Sequence, residues 1–227
     1  NTNFVYRTVF SGWDVFRSKF PLLTILRPDV VSDRINSFVQ LGELNGTKQL
    51  PRWELLNKYT GCMLGEPAVS VIADAYRKGI RDYDVEKAYQ FCRNTLDKER
   101  YADYIAKGYS PEKSSVSTTL ELAYNDWCMA QLAERFGKDD DYQRFIKRAM
   151  NYRNVYDPSV KSMRARGKDG DFKKWTTKTE FRGSGCIESN PYQQGWFVPH
   201  DVQGLINLMT KDYYLQAIEI DPGYAKV

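Results

Sequence analysis

Residues 186–201 bring together Glu188 and Asp201, the amides Asn190, Gln193 and Gln194, the rings Tyr192, Trp196 and Phe197, and the chain's only histidine, His200. Rings and amides in one stretch suit a sugar: rings stack on the C–H face of a pyranose, while amides and carboxylates hydrogen-bond its hydroxyls. Glu188, set among apolar and amide neighbours, is the candidate for a carboxyl group kept protonated near neutral pH by desolvation. The competing reading of the same residues is a turn entering a helix, with its aromatics in the core. A second constellation lies near the start. Trp13, Asp14 and Arg17 stand at i, i+3 and i+4 spacings that bring side chains onto one helix face. A carboxylate beside a guanidinium can clamp neighbouring sugar hydroxyls, with Trp13 as a wall. The same spacing also suits an ordinary helix salt bridge beside a core tryptophan.

Other chemistries fit less well. Net charge is +4 with acids and bases interleaved, so there is no polybasic stripe and nucleic acid is not an expected partner. Cysteines at 62, 92, 128 and 186 form no CxxC knuckle and read as small buried hydrophobes, with one disulfide left open. One histidine makes a His-based zinc or iron site improbable. His200 reads as hydrogen-bonded at a helix start rather than as a metal ligand. Asn190, Gln193 and Asp201 offer oxygens of the kind calcium takes, but not at the spacing of a calcium loop. Asp74, Glu121 and Asp126 read as structural acids with backbone or Arg/Lys partners, Glu121 being the carboxylate to test after Glu188. No apolar run is long enough for a membrane span.

The elements expected to position these residues are helical. Ser32, Asp84, Ser117 and Asp139 or Asp140 are candidate N-caps, Pro67 fits a first turn, and Gly79 and Gly137 fit left-handed C′ positions. Segments 85–96 and 142–150 carry one apolar stripe each, whereas 67–76 and 116–136 are apolar on most sides. Fully buried helices alternating with half-wet ones suit two concentric rings, so the expected class is all-α, part of an (α/α)6 toroid. Period-2 alternation is scarce; only residues 162–181 read as a loop or hairpin insertion. The chain opens at Asn1 without a signal-peptide pattern and closes on 221–227, which reads as a connection. We expect it to be a piece of a longer protein.

One resemblance spans nearly the whole chain. Its blocks are Ser11-Gly12-Trp13-Asp14-Val15-Phe16-Arg17, Pro21-Leu22-Leu23, Leu50-Pro51-Arg52-Trp53, Met63-Leu64-Gly65, residues 72–80, residues 117–121, residues 148–152, Glu188-Ser189-Asn190 and Val198-Pro199-His200-Asp201. In this order they resemble glycoside hydrolase family 92, the calcium-dependent α-mannosidases. The resemblance implies an N-terminal β-sandwich, absent from this chain, followed by an (α/α)6 catalytic toroid of which residues 1–227 are part. It implies an inverting exo-α-mannosidase that releases mannose from glycans, with α-1,2 the expected linkage, a Ca2+ cofactor and a periplasmic or secreted location. Glu188 aligns with the family's general acid. Trp13, Asp14, Arg17, Asn190, Gln193, His200 and Asp201 become candidate substrate contacts, and the calcium ligands stay unassigned. Two family motifs, Gly-Asn-Glu-Pro and Asn-Asp-Asp-Cys-Gly, do not occur here. The general base, carried by the second, therefore lies outside the chain, and this piece alone is expected to be inactive. The remainder of the parent chain is thus an expected partner. The alternative is a non-catalytic carbohydrate-binding helical domain.

Overall fold

Several helices begin where the sequence supplies a preset φ or a side-chain acceptor. The structure, a computed structural model, describes residues 3–219, so the Asn1 start and the connection read at 221–227 lie outside the described residues. The helices are α1 (Gly12–Val15), α2 (Lys19–Leu26), α3 (Pro28–Leu44), α4 (Pro67–Arg77), α5 (Val85–Leu96), α6 (Ala102–Lys107), α7 (Ser115–Arg135), α8 (Asp139–Ala149), α9 (Pro191–Gln194), α10 (Val202–Met209) and α11 (Lys211–Glu219). Asp84 caps α5 as expected, its Oδ1 accepting from the Lys87 N–H at 3.0 Å. Pro67 opens α4, and Gly79 and Gly137 take positive φ just past α4 and α7.

Three of the expected caps are corrected. Ser32 lies buried inside α3, because Pro28 starts that helix earlier with its fixed φ and missing N–H. Ser117 falls within the first turn of α7. The cap position of α8 is Lys138, and Asp139, Asp140 and Asp141 occupy the first turn, where their charge complements the helix dipole.

Short strands fill the gaps. β1 (Val9–Ser11), β2 (Trp53–Leu55) and β3 (Lys58–Tyr59) form an antiparallel sheet in that order. Strands this short show too little alternation to be read from sequence. β4 (Tyr156–Asp157) pairs antiparallel with β5 (Ser162–Met163), and Arg166 bridges Phe172. The hairpin-and-loop expectation for 162–181 therefore holds, with the pairing beginning a few residues earlier.

Helix α7 is the spine. The C-terminal two-thirds of it, with Leu122, Met129 and Leu132, packs into one core built from α2, α3, α4, α5 and α8. Its first turns, with Val116, Leu120 and Ala123, join a second core with Tyr152, Val155, Met163 and Leu205. Both α4 and α7 bury most of their surface, while α5 and α8 keep one wet face, as the periodicity predicts. The all-α class holds.

Candidate active site

Two segments far apart in sequence dock on one face of α7. The first is α1. Gly12 joins it directly to β1, and only glycine fits there: a Cβ would lie 2.4 Å from the Arg52 carbonyl oxygen and 2.3 Å from Pro67 Cγ. The Arg52 side chain is itself buried, donating to the carbonyls of Gly65 and Met63 and to the Tyr101 hydroxyl, so this wall is fixed. From α1 and the turn after it, Trp13 Nε1 (2.8 Å) and Arg17 Nη2 (2.5 Å) both donate to Oε1 of Glu121 on α7. The Arg17 guanidinium also lies over the Phe197 ring, 4.4 Å from its centre. Arg17 pairs with Glu121 and not with Asp14, which is exposed; the expected Asp14–Arg17 clamp is corrected to a Trp13–Glu121–Arg17 one. Burial pushes the Glu121 carboxyl above its usual range, and Arg17 and Trp13 pull it part of the way back.

The second segment holds Glu188. Ser117 fastens it: its N–H donates to the Gly185 carbonyl at 3.1 Å, and its hydroxyl accepts from the Ile187 N–H at 2.8 Å and donates to Gln194 Oε1 at 2.5 Å. Ser189 Oγ donates to the same Gln194 oxygen. Gly185, at φ +85, presses against Ala165 and Val116, which leaves no room for a Cβ. Glu188 then adopts φ 53, a left-handed conformation uncommon for a non-glycine residue. This turn sends its side chain to solvent while Asn190 turns inward. The apolar enclosure expected around Glu188 is therefore absent among the described residues.

The other expected site residues separate. Asn190 is buried as the N-cap of α9, its Oδ1 accepting from the Gln193 N–H, and the Gln193 side chain is exposed. Asp201 caps α10 and accepts from the Gly204 N–H, the Tyr152 hydroxyl and Arg153. His200 Nε2 lies 2.9 Å from the Ala149 carbonyl among the rings of Tyr124, Trp127 and Tyr152, and burial lowers its pKa below 6.5. Trp196 donates Nε1–H to the Tyr192 carbonyl and packs on Tyr214. The stretch thus serves both readings: Trp196 is core, while Phe197 reaches the Arg17 cluster. Asp74 and Asp126 pair with Lys78 and Arg148, as structural acids do, and burial pushes Asp126 up to about 6 against the pull of Arg148. Cys92 and Cys128 are buried as expected, but Cys62 is exposed, and all four are free thiols.

Ser117, Gln194 and Phe197 contribute without standing among the candidate site residues of the sequence. Two of them lie inside the amide- and aromatic-rich stretch, but Ser117 looked like an ordinary cap. Beside the clamp, a cleft of about 350 Å³ runs between α2, α4, α7 and the 197–199 segment, with Phe16, Arg17, Asp74, Tyr124, Trp127 and Phe197 in its wall. Apolar rings with a few charged groups give a surface on which a pyranose can stack and bond. Calcium needs six to eight oxygens, and the Asp201 carboxylate is already engaged by three donors. Among the described residues no group of three His, Cys, Asp or Glu side chains is placed to hold a metal ion. The residues present do not by themselves fit a calcium site.

Comparison with known proteins agrees with this fold. A model of the glycosyl hydrolase family 92 catalytic domain matches residues 1–217. A family 92 α-mannosidase from Bacteroides thetaiotaomicron superposes with a TM-score of 0.92 at 36% identity, covering 96% of this chain and 30% of that one. That enzyme is also known in complex with mannoimidazole. A family 92 inverting mannosidase from the same species superposes with a TM-score of 0.85 at 31% identity, over 92% of this chain and 30% of that one. An uncharacterized secreted glycosidase of Arthroderma benhamiae is 26% identical over 190 residues, 64% of this chain and 24% of that protein. The chain thus spans less than a third of the length of these relatives. With the match running from the Trp13–Arg17 segment through the Glu188 turn, the chain belongs to glycosyl hydrolase family 92.

Proposed function

We propose that this chain supplies the acid side of an inverting exo-α-mannosidase that removes terminal mannose from α-1,2-linked glycans. One observation carries the reading. The Glu188 turn is tied to Ser117 and the Trp13–Arg17 clamp to Glu121, on the same helix face. These anchors are four residues apart, about 6 Å along the axis of α7. The turn that carries the carboxylic acid and the segment that carries the indole and the guanidinium are thereby fixed to neighbouring turns of one buried helix.

In this reading Glu188 protonates the leaving oxygen of the glycosidic bond. A base supplied from outside this chain activates water on the opposite face of the sugar, about 6.5–9.5 Å from the acid. Arg17, held over the Phe197 ring, donates to sugar hydroxyls. Asp14, exposed and three residues before it, accepts from them. The calcium requirement is assigned to ligands beyond this chain as well. The mannosidases with which the chain superposes support the substrate class, and the secreted fungal relative supports a location outside the cytoplasm.

The test is mannose release by the full-length protein, wild type beside Glu188→Gln. The variant is expected to lose about a hundredfold or more on mannobiose and far less on an aryl mannoside, whose leaving group needs no proton. Equal losses on both substrates would remove Glu188 as the acid. No release by either form would favour a carbohydrate-binding domain. EDTA in the same assay tests the calcium requirement.

A further inference from the structure

Between β3 and α4 the backbone turns left-handed at Gly61 (φ 66), Met63 (φ 60) and Gly65 (φ 69). That conformation is uncommon for a residue with a Cβ, and Met63 keeps it because its surroundings impose it. The buried Arg52 side chain is what imposes it. Its Nη1 donates to the Met63 carbonyl at 2.6 Å and the Gly61 carbonyl at 3.3 Å, and its Nε to the Gly65 carbonyl at 2.8 Å. Nη2 donates to the Tyr101 hydroxyl at 2.7 Å and to Glu66 Oε1 at 3.3 Å, and Glu66 also pairs with Lys98. A planar guanidinium meets three carbonyls of one turn at once, a geometry that an ammonium does not reproduce.

This turn does not serve the core: Cys62, Met63 and Leu64 join neither hydrophobic cluster, and Cys62 is exposed. What it meets is Glu121. A Cβ on Gly65 would lie 3.1 Å from Glu121 Cβ and 3.4 Å from Glu121 Oε2, so the Gly65 backbone lies against the carboxylate that accepts from Trp13 and Arg17. One turn further along α7, Asn125 Oδ1 accepts from the Glu66 N–H at 2.7 Å and ties the segment to the same helix. The Arg52 carbonyl meanwhile backs α1 at Gly12. We infer that Arg52 is a positioning residue for the sugar clamp. Its side chain pins the 61–65 turn against Glu121 and its backbone supports α1, so that Trp13 and Arg17 are held in fixed directions towards a sugar. Arg52 acts through these residues and touches no sugar itself. The inference rests on the reading of Trp13 and Arg17 as sugar contacts and is independent of the acid role of Glu188.

Isothermal titration of the full-length protein with mannose, at a temperature well below the Tm of every variant, tests it. Arg52→Lys keeps the charge and loses the three-carbonyl fork, whereas Gly65→Ala leaves Arg52 in place and displaces Glu121. Each should weaken mannose binding about tenfold, the worth of one hydrogen bond to a charged group. Arg17→Ala should weaken it by a similar factor. Adding Arg52→Lys or Gly65→Ala to Arg17→Ala should then weaken it by less than about twofold more, because the changes act through one shared group. A residue that served stability alone would lower Tm and leave the affinity of the folded protein unchanged. Gly65→Ala decides the question by itself if Arg52→Lys does not fold. Unchanged affinity in Gly65→Ala, or losses that multiply in full in the double variants, would overturn the proposal while Arg17→Ala still weakens binding. Unchanged affinity in Arg17→Ala would overturn it together with the clamp reading on which it rests.

Discussion

Glu121 holds two donors at once, and its removal strands both. In Glu121→Ala the Trp13 N–H and the Arg17 guanidinium lose their common acceptor. The chain should be destabilised by about 2–3 kcal/mol in urea unfolding, at the lower side of what a broken buried pair costs because Arg17 keeps contact with water. Glu121→Gln keeps an acceptor for Trp13 and should cost about half as much; equal losses would mean that the Arg17 ion pair is the whole interaction. His200 offers a second test. Burial holds its folded-state pKa below 6.5, so the folded chain binds fewer protons than the unfolded one as pH falls through that value. Its stabilising contribution is full above pH 6.5 and is lost as pH drops towards the folded pKa. Asp126, pushed up to about 6, acts in the opposite sense between about 6 and 3.8, gaining stability as it protonates. As the only histidine, His200 gives a single imidazole titration in proton NMR, and a midpoint above 6.5 would refute the buried placement.

Among the elements, the 185–194 segment depends most on one residue. Gly185 has φ +85, and a Cβ there would sit 2.7 Å from Ala165 Cβ and 3.3 Å from Val116. Both the strained backbone and the contact penalise Gly185→Ala, by about 1–3 kcal/mol. The cost should fall on the segment rather than on the fold: helical circular dichroism stays near wild type, while amide exchange at Ile187 quickens as its bond to Ser117 loosens. Unchanged exchange at Ile187 would show that Gly185 does not anchor the turn. This also explains the reach of Ser117. A serine in the first turn of a long buried helix serves as a docking point because its side chain and its N–H face the same loop.

At the scale of the molecule, α2 leaves Leu22, Ile25 and Leu26 exposed, Ile25 at 73%, and the aromatic cleft lies between α2, α4 and α7. Exposed apolar surface next to an apolar cleft favours association. The isolated chain should self-associate at high concentration, and Leu22→Ser/Ile25→Ser/Leu26→Ser should reduce this. Clean monomeric light scattering by the unmodified chain would argue against the surface being one that normally lies covered. The chain spans about 30% of the length of the solved relatives, so there is ample polypeptide in those proteins to cover such a face.

The helical class, the buried character of α4 and α7, the Asp84 cap, the hairpin near 162–181 and the family are legible in the amino-acid sequence, because periodicity, capping chemistry and ordered motifs are local or linear properties. The sequence also named Glu188, Trp13 and Arg17 as candidate site residues. It did not decide who partners whom. Arg17 was expected beside Asp14 three residues away, yet it pairs with Glu121, 104 residues along the chain. Glu188 was expected in an apolar setting because its sequence neighbours are apolar and amide, yet a left-handed φ turns it to solvent. Ser32 and Ser117 look like caps in a linear reading, and only the start points of α3 and α7 place them inside helices. Burial, pairing and side-chain direction are set by which elements pack together, and that is settled by long-range packing on α7 rather than by any window of residues.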